Sequence, residues 1–313
     1  MRYYRWSVLL CGAIGAVTVA MVVSSAHVAA GLRPATAGGY SLRFYGNGVD
    51  DIDRVKIRLD EPARPIDVGD GDFTIEWWMK ALPGENESTA VRCGENDGWI
   101  YGNILLDRDI WGSGDRGDYG IALTGGRIAF GVNNGSSGNT LCGTKNVTDG
   151  AWHHVAVTRS DDGELTIFVD GTLDGAGSGP AGNISYRDGR NTVHANDPYL
   201  VIGAEKHDAG QADYPSYSGW LDELRISSTV RYAAAHARPT DPFVVDGATL
   251  GLYHFDEGSG LTLADDAGQV GGPSDGLVRS GGSPAGPAWS TDSPWSTPVG
   301  PDSALYLPLV QRP

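Results

Sequence analysis

Phe73-Thr74-Ile75-Glu76-Trp77-Trp78-Met79-Lys80 places a large apolar residue at every odd position, with Thr74, Glu76, Trp78 and Lys80 between them. A period of two belongs to an extended chain that lays one face on a core. The same period recurs in Ile128-Ala129-Phe130-Gly131-Val132 and in Leu165-Thr166-Ile167-Phe168-Val169. Further extended segments are read at 41–45, 55–59, 119–123, 152–158, 200–203, 220–226 and 251–255. Asp161-Asp162-Gly163 separates two apolar runs, so residues 152–169 predict a hairpin, and Gly125-Gly126 and Asp170-Gly171 mark further turns. Helical periodicity is nearly absent. Many short, evenly spaced strands predict an all-β fold, a sandwich or a barrel.

Outside this region the composition changes. Arg2 and Arg5 precede an uncharged, mostly apolar run from Trp6 to Val23, followed by small residues. That order is the order of a secretory signal, assigned here to residues 1–37, with cleavage after Ala30 or Ala37. An uncleaved run would serve as a membrane anchor. Residues 38–270 carry the strand pattern; 271–303 are rich in Gly, Pro and Ser and read as a linker. Residues 304–313 form an apolar tail, either a sorting or docking signal or a last strand. Loss of Arg2, Arg5 and Arg33 with the signal takes the formal charge from −16 to −19. Such a chain repels nucleic acid and anionic lipid and suits cations or neutral glycans. Contact with a membrane would need the uncleaved signal or the tail. Past the signal only Cys93 and Cys142 remain, and a single pair in an exported chain reads as a disulfide. There is no CxxC and no Cys/His cluster, so zinc is not indicated.

Five motifs in order resemble the laminin-G-like jelly roll of the concanavalin A-like lectins and glucanases. They are Ser41-Leu42-Arg43-Phe44, Asp72-Phe73-Thr74-Ile75-Glu76-Trp77-Trp78, Trp152-His153-His154-Val155-Ala156-Val157-Thr158, Phe168-Val169-Asp170-Gly171, and Gly219-Trp220-Leu221-Asp222-Glu223-Leu224-Arg225-Ile226. The resemblance implies a sandwich of two antiparallel sheets. Leu252-Tyr253-His254-Phe255-Asp256-Glu257-Gly258 resembles the strand that leads into such domains, yet here it comes after the rest, as in a circular permutation.

The glucanase branch of this architecture carries carboxylates at alternate positions of one strand, in a pattern like E-x-D-x-x-E. No such pattern occurs. Adjacent Asp222 and Glu223 should face opposite ways, and so should His153 and His154, which read as framework. By alternation Asp222 shares a core face with Trp220, Leu224 and Ile226, where a carboxylate needs a cation or donors. One reading is a structural calcium ligand helped by Asp51 and Asp53, since members of the resembled family often carry calcium. The other is a buried Asp bonded to backbone N–H groups or an Arg.

Two charged clusters fall where loops are expected, Asp107-Arg108-Asp109 with Trp111, and Glu205-Lys206-His207-Asp208. If they meet, Tyr214, Tyr217, Trp99 and Trp111 could offer flat apolar surfaces to sugar rings. The reading is a secreted, non-catalytic module that binds a glycan or an extracellular protein. Its rivals are a polysaccharide hydrolase or lyase using Asp107, Asp109, His207 and Asp208, and a structural surface component; fold alone does not choose.

Overall fold

A computed structural model describes residues 39–112, 117–186 and 194–296. The expected signal and apolar tail lie outside the described residues. Among the described residues the only helical turn is a short 3-10 segment, Gly98–Tyr101, and the rest of the regular structure is two antiparallel sheets of eight strands each. The first sheet runs in the order Thr172–Ser178, Glu164–Val169, Trp152–Arg159, Phe73–Lys80, Ser218–Ser227, Ser41–Tyr45 and Ala288–Ser290. Its eighth strand, Thr249–Tyr253, pairs with the second half of Ser218–Ser227, in line with Ser41–Tyr45, which pairs with the first half. The lead-in-like segment therefore lies within a sheet. The second sheet runs Thr262–Leu263, Gly276–Arg279, Arg54–Arg58, Tyr199–Ile202, Asn103–Arg108, Asp118–Thr124, Arg127–Asn133 and Gly138–Cys142.

The alternation read from the sequence sorts the faces. Phe73, Ile75, Trp77 and Met79 enter one core with Ile121, Phe130, Val157, Ile167 and Leu221, contributed by both sheets. The other face of the first sheet is also covered. There Trp78 packs with Phe243, Leu252 and Ala267, and the irregular 228–248 segment crosses it. Under that segment the buried Glu76 carboxylate meets Arg225 Nε at 2.8 Å, Tyr232 Oη at 2.7 Å and His154 Nε2 at 3.1 Å. Burial pushes Glu76 up, but these partners outweigh it and hold its carboxyl below the usual range. His153 turns the other way, to Asp170 and Asp149, so both histidines are framework as read.

Two expectations need correction. Residues 276–279 and 288–290 are not linker: the first pairs with Arg54–Arg58 and the second with Ser41–Tyr45, one on each sheet. Strands of three or four residues among Gly and Pro leave no alternation to read. Asp222 is the second. Leu221 and Leu224 both enter the core with two residues between them, because a bulge, with Glu223 at φ 49°, shifts the pairing between Asp222 and Arg225. Asp222 thus pairs with outward Trp78, and Glu223 reaches Phe243 N and His254 on that same outer side. Adjacent carboxylates are on one face after all.

Cys93 and Cys142 are bridged across 49 residues, tying the 81–102 loop to the edge strand of the second sheet. Ending the chain after Val270 should lower the midpoint of urea unfolding. Val278 is lost from the core, where a buried side chain of this kind contributes roughly 1.5–3 kcal/mol, and the half-buried Trp289 is lost from its edge. An unchanged midpoint would show that the last strands contribute nothing.

Candidate ligand-binding site

Tyr119, Ile121, Phe130 and Val132 point into the core, so Asp118, Gly120, Gly131 and Asn133 point outward from the second sheet. Asp118 pairs with Asn133, and Arg108 with Tyr119, which sets Asp109 beside Asp118 in the same register. Asp109, Asp118 and Asn133 therefore lie across three neighbouring strands as a polar floor. Trp99 lies flat over Gly120 and Gly131, where any Cβ would strike its ring. The two glycines thus seat the 3-10 turn, and that seat holds Asp97 as one wall. Asp97 accepts from Asn96 Nδ2 at 2.8 Å and from Asn133 Nδ2 at 3.1 Å.

The opposite wall is Trp111, with 47% of its surface exposed. Its backbone N–H donates to Asp197 Oδ1 at 3.0 Å, and its ring packs on His207 and His194, with centroids 5.4 and 5.7 Å away. His207 is fixed between Glu205 Oε1 at 3.0 Å and Asp197 Oδ1 at 2.9 Å. The two charged clusters do meet. Between the walls is a cleft of about 480 Å³, within the range of small-ligand sites. A second cleft, of about 510 Å³ beside Asp67 and Asp70, has no aromatic residue in its lining.

The charged groups among the described residues lining the cleft are carboxylates. Burial raises the Asp109 carboxyl well above its ordinary range, and the neighbouring Asp118 and Asp107 carboxylates add to this. Burial also raises Asp97, against the opposing hydrogen bonds of Asn133 and Asn96. Asp109 is still reachable, with 26% of its side chain open.

Several residues read as candidates turn out to be supports. Asp107 is buried and spends both oxygens on the backbone N–H groups of Asp109 and Lys206, at 2.8 and 3.0 Å. Lys206 is buried, its ammonium donating to the Asp197 and Tyr199 carbonyls. Arg108 points inward, over the Tyr119 ring. Asp208 turns to Arg54 Nη2 at 2.7 Å, away from the cleft lining. Tyr217 and Trp99 are fully buried and offer no surface to a ligand. The Tyr217 hydroxyl donates to the Trp220 carbonyl at 3.1 Å, and Tyr214 stacks on Tyr101. Of the four residues of the enzyme reading, only Asp109 lines the cleft. No local pattern marks Asp97, Asn133, His194 and Asp197 as site residues, because they arrive from segments far apart in the chain.

A laminin-G family model, described as the concanavalin A-like lectin/glucanases superfamily, matches residues 53–235. The chain belongs to this superfamily. Among curated proteins no relative matches. Solved structures similar to this laminin-G-like chain include a putative carbohydrate binding protein from Bacteroides ovatus, at 14% identity and TM-score 0.49, over 77% of this chain and 58% of that one. Domains LG4-5 of the mouse laminin α1 chain are 16% identical at TM-score 0.40, over 64% of this chain and 47% of theirs. A SAP-like pentraxin from Limulus polyphemus is 15% identical at TM-score 0.39, over 68% and 93%. The chain thus spans about half the length of the first two.

The superfamily raises the question of calcium. Asp53 Oδ2 accepts the backbone N–H groups of Tyr45 and Asn47 at 2.8 Å each, and Asp51 pairs with Lys56 and Arg279. Asp53 is thereby fixed at the Tyr45 end of Ser41–Tyr45. Asp222 lies opposite Ser41 by register, four residues or about 13 Å along. The three do not form one ligand set. Asp222 itself is 1% exposed, and neither of its oxygens has a hydrogen-bond partner.

Gly131→Val should displace Trp99 and cost about 1–3 kcal/mol in urea unfolding, as overpacking does. A Trp99→Ala, Gly131→Val double variant should recover part of the cost of the two single changes combined. Strict additivity would mean that the ring and the glycine do not pack as one unit.

Proposed function

We propose that this chain is an extracellular recognition module that binds a glycan, without turnover, in the cleft between Asp97 and Trp111. The observation that carries the reading is Trp111. A large aromatic face is held open at the rim of a cleft, backed by the buried Glu205–His207–Asp197 chain of hydrogen bonds. Exposing such a ring gains nothing for folding, whereas a sugar ring stacked on it would bury apolar area on binding. The Cys93–Cys142 bridge fits an oxidising compartment outside the cell. The absence of turnover is supported by the floor, where Asp107 is consumed by backbone donors and His207 by carboxylates.

Trp111→Ala should leave the melting midpoint unchanged and weaken retention on the recognised polysaccharide about thirtyfold, the scale of an aromatic hot spot. Affinity electrophoresis against a polysaccharide panel measures both forms. Release of reducing ends or unsaturated sugars would replace this reading by a hydrolase or a lyase. Equal retention of the two forms would remove the cleft from the argument.

We also propose a structural calcium ion at Asp222, with Asp256 as the neighbouring carboxylate. A hard cation would offset the desolvation of two orphaned oxygens. Burial, with Glu223 and Asp256 adding, raises the Asp222 carboxyl well above its usual range. Without a cation, then, the cost of Asp222 is absent below about pH 4 and grows as the pH rises through the raised value. Asp222→Asn should melt higher than the parent chain in chelator near neutral pH, and equally near pH 4. Calcium should raise the parent's midpoint and not the variant's. A parent indifferent to calcium would refute the site.

A further inference from the structure

The 228–248 segment crosses the outer face of the first sheet without regular structure, and two different sets of contacts hold it there. Its base is pinched shut. Ser228 N donates to the Ala248 carbonyl at 2.9 Å, and Arg231 Nη1 and Nη2 grip Asp246 at 2.8 and 2.7 Å. The Arg231 hydrogen bonds draw the Asp246 carboxyl well below the ordinary carboxylate range, so the base stays paired in mild acid. The middle, residues 232–238, has less to hold it, because four of its seven residues are alanine. Tyr232 donates to Glu76, and His236 N donates to the Gly171 carbonyl at 2.8 Å. The backbones approach so closely there that a Cβ on Gly171 would strike the His236 carbonyl. The His236 ring stacks on Tyr232 with centroids 3.6 Å apart and planes 5° from parallel, and packs on Phe168 at 5.2 Å.

That ring is built to be neutral. His236 Nδ1 lies 3.3 Å from the Ala234 carbonyl, which can only accept, so Nδ1 carries the proton and Nε2 keeps a bare lone pair. Nε2 is buried without a hydrogen-bond partner. The polar groups around the ring are already engaged. Tyr232 Oη and His154 Nε2 both face Glu76 Oε2, at 2.7 and 3.1 Å, while Arg225 and Arg231 approach Glu76 Oε1 at 2.8 and 3.6 Å. Asp170, beside Gly171, is shared by Lys145, His153 and Arg238. A second proton on His236 would therefore bury a cation with no acceptor at Nε2. We infer that residues 232–238 are an acid-operated latch: protonation of His236 lifts them from the sheet while the Arg231–Asp246 base holds. Opening would uncover His154 and Phe168, both fully buried, and Trp78, over whose ring Arg238 Cζ sits at 5.0 Å. Burial holds the His236 ring below the ordinary imidazole range, against the Ala234 carbonyl, which favours its charged form. The neutral ring thus stabilises the closed latch fully above about pH 6.5, and that contribution is lost as the pH falls through the lowered value. Glu76, held below the usual carboxylate range, keeps its grip on Tyr232 until the solution is more acidic still. The latch lies on the first sheet and is independent of the cleft on the second.

The test is amide hydrogen exchange of the full chain, corrected for the intrinsic effect of pH, at about pH 7.5 and about pH 5, either side of the ordinary imidazole value. Protection of the His236 amide and its neighbours should fall at least about threefold in acid. The Ser228 amide at the base, and the strands Trp152–Arg159 and Ser218–Ser227, should keep theirs. His236→Phe keeps a ring to stack on Tyr232 with nothing to protonate, so its protection should be the same at both pH values. In the parent chain the ring C–H resonance of His236 should titrate over the interval in which protection is lost, and this measurement decides alone if phenylalanine disturbs the segment. Protection indifferent to pH in the parent, or a ring that titrates with no loss of protection, would overturn the latch. An equal acid loss in a His236→Phe chain that matches the parent at about pH 7.5 would do the same. So would an equal loss throughout Trp152–Arg159, which is acid unfolding of the whole domain.

Discussion

Each strand of a sandwich has to surrender one face to the interior, and the other face is then the only place left for polar chemistry. Here that constraint is met by a core built from both sheets, with Trp77, Phe73, Phe130, Tyr119 and Tyr217 among its largest members. The two outer faces are used differently. On the first sheet the outward row is roofed by the 228–248 segment, and Glu76, Arg225, Tyr232 and His154 make a buried polar network under it. Removing one partner of such a buried pair typically costs about 3–5 kcal/mol, because the other charge stays behind. That network holds the roof down. On the second sheet the outward row of Asp109, Asp118 and Asn133 reaches the rim and stays open.

The open rim is assembled by packing and not by the local chain. Two glycines make room for one tryptophan, the tryptophan seats a turn, and the turn places Asp97 over Asn133. On the other side Asp197 works three ways at once. It takes the N–H groups of Trp111 and His194 and a ring nitrogen of His207. Burial alone would raise the Asp197 carboxyl, but these donors outweigh it and hold it below its normal range. Those donors favour its ionised form where it anchors the wall, while Asp109, desolvated by burial and facing other carboxylates, is pushed the opposite way.

How much of this is legible in the sequence depends on the range of each interaction. Alternation is local, so Phe73–Lys80, Arg127–Asn133 and the 152–169 hairpin can be read directly, and with the five motifs they point to the sandwich. The Cys93–Cys142 pair needs only counting. Alternation puts Asp222 on the wrong face because one bulge residue reverses parity, and a bulge leaves no mark in a pattern of apolar letters. Tyr217 and Trp99 look like binding aromatics when nothing shows what covers them; Gly120 and Gly131, which receive Trp99, stand more than twenty residues away. The two loops around Asp107 and Glu205 stand out by their charge, but a run of charges does not reveal which member faces solvent and which clamps a backbone.

The neighbours of Ser41–Tyr45 come from the far end of the described chain. That strand is flanked by Ser218–Ser227 on one side and Ala288–Ser290 on the other, and Arg54–Arg58 likewise waits for Gly276–Arg279. Neither early strand has both partners without residues 276–290. Both sheets are therefore completed by pairings between segments more than two hundred residues apart, a topology of the kind that folds slowly. A chain lacking those C-terminal strands would leave Ser41–Tyr45 and Arg54–Arg58 each with an unpaired edge, the side on which one sheet can take up a strand from another molecule.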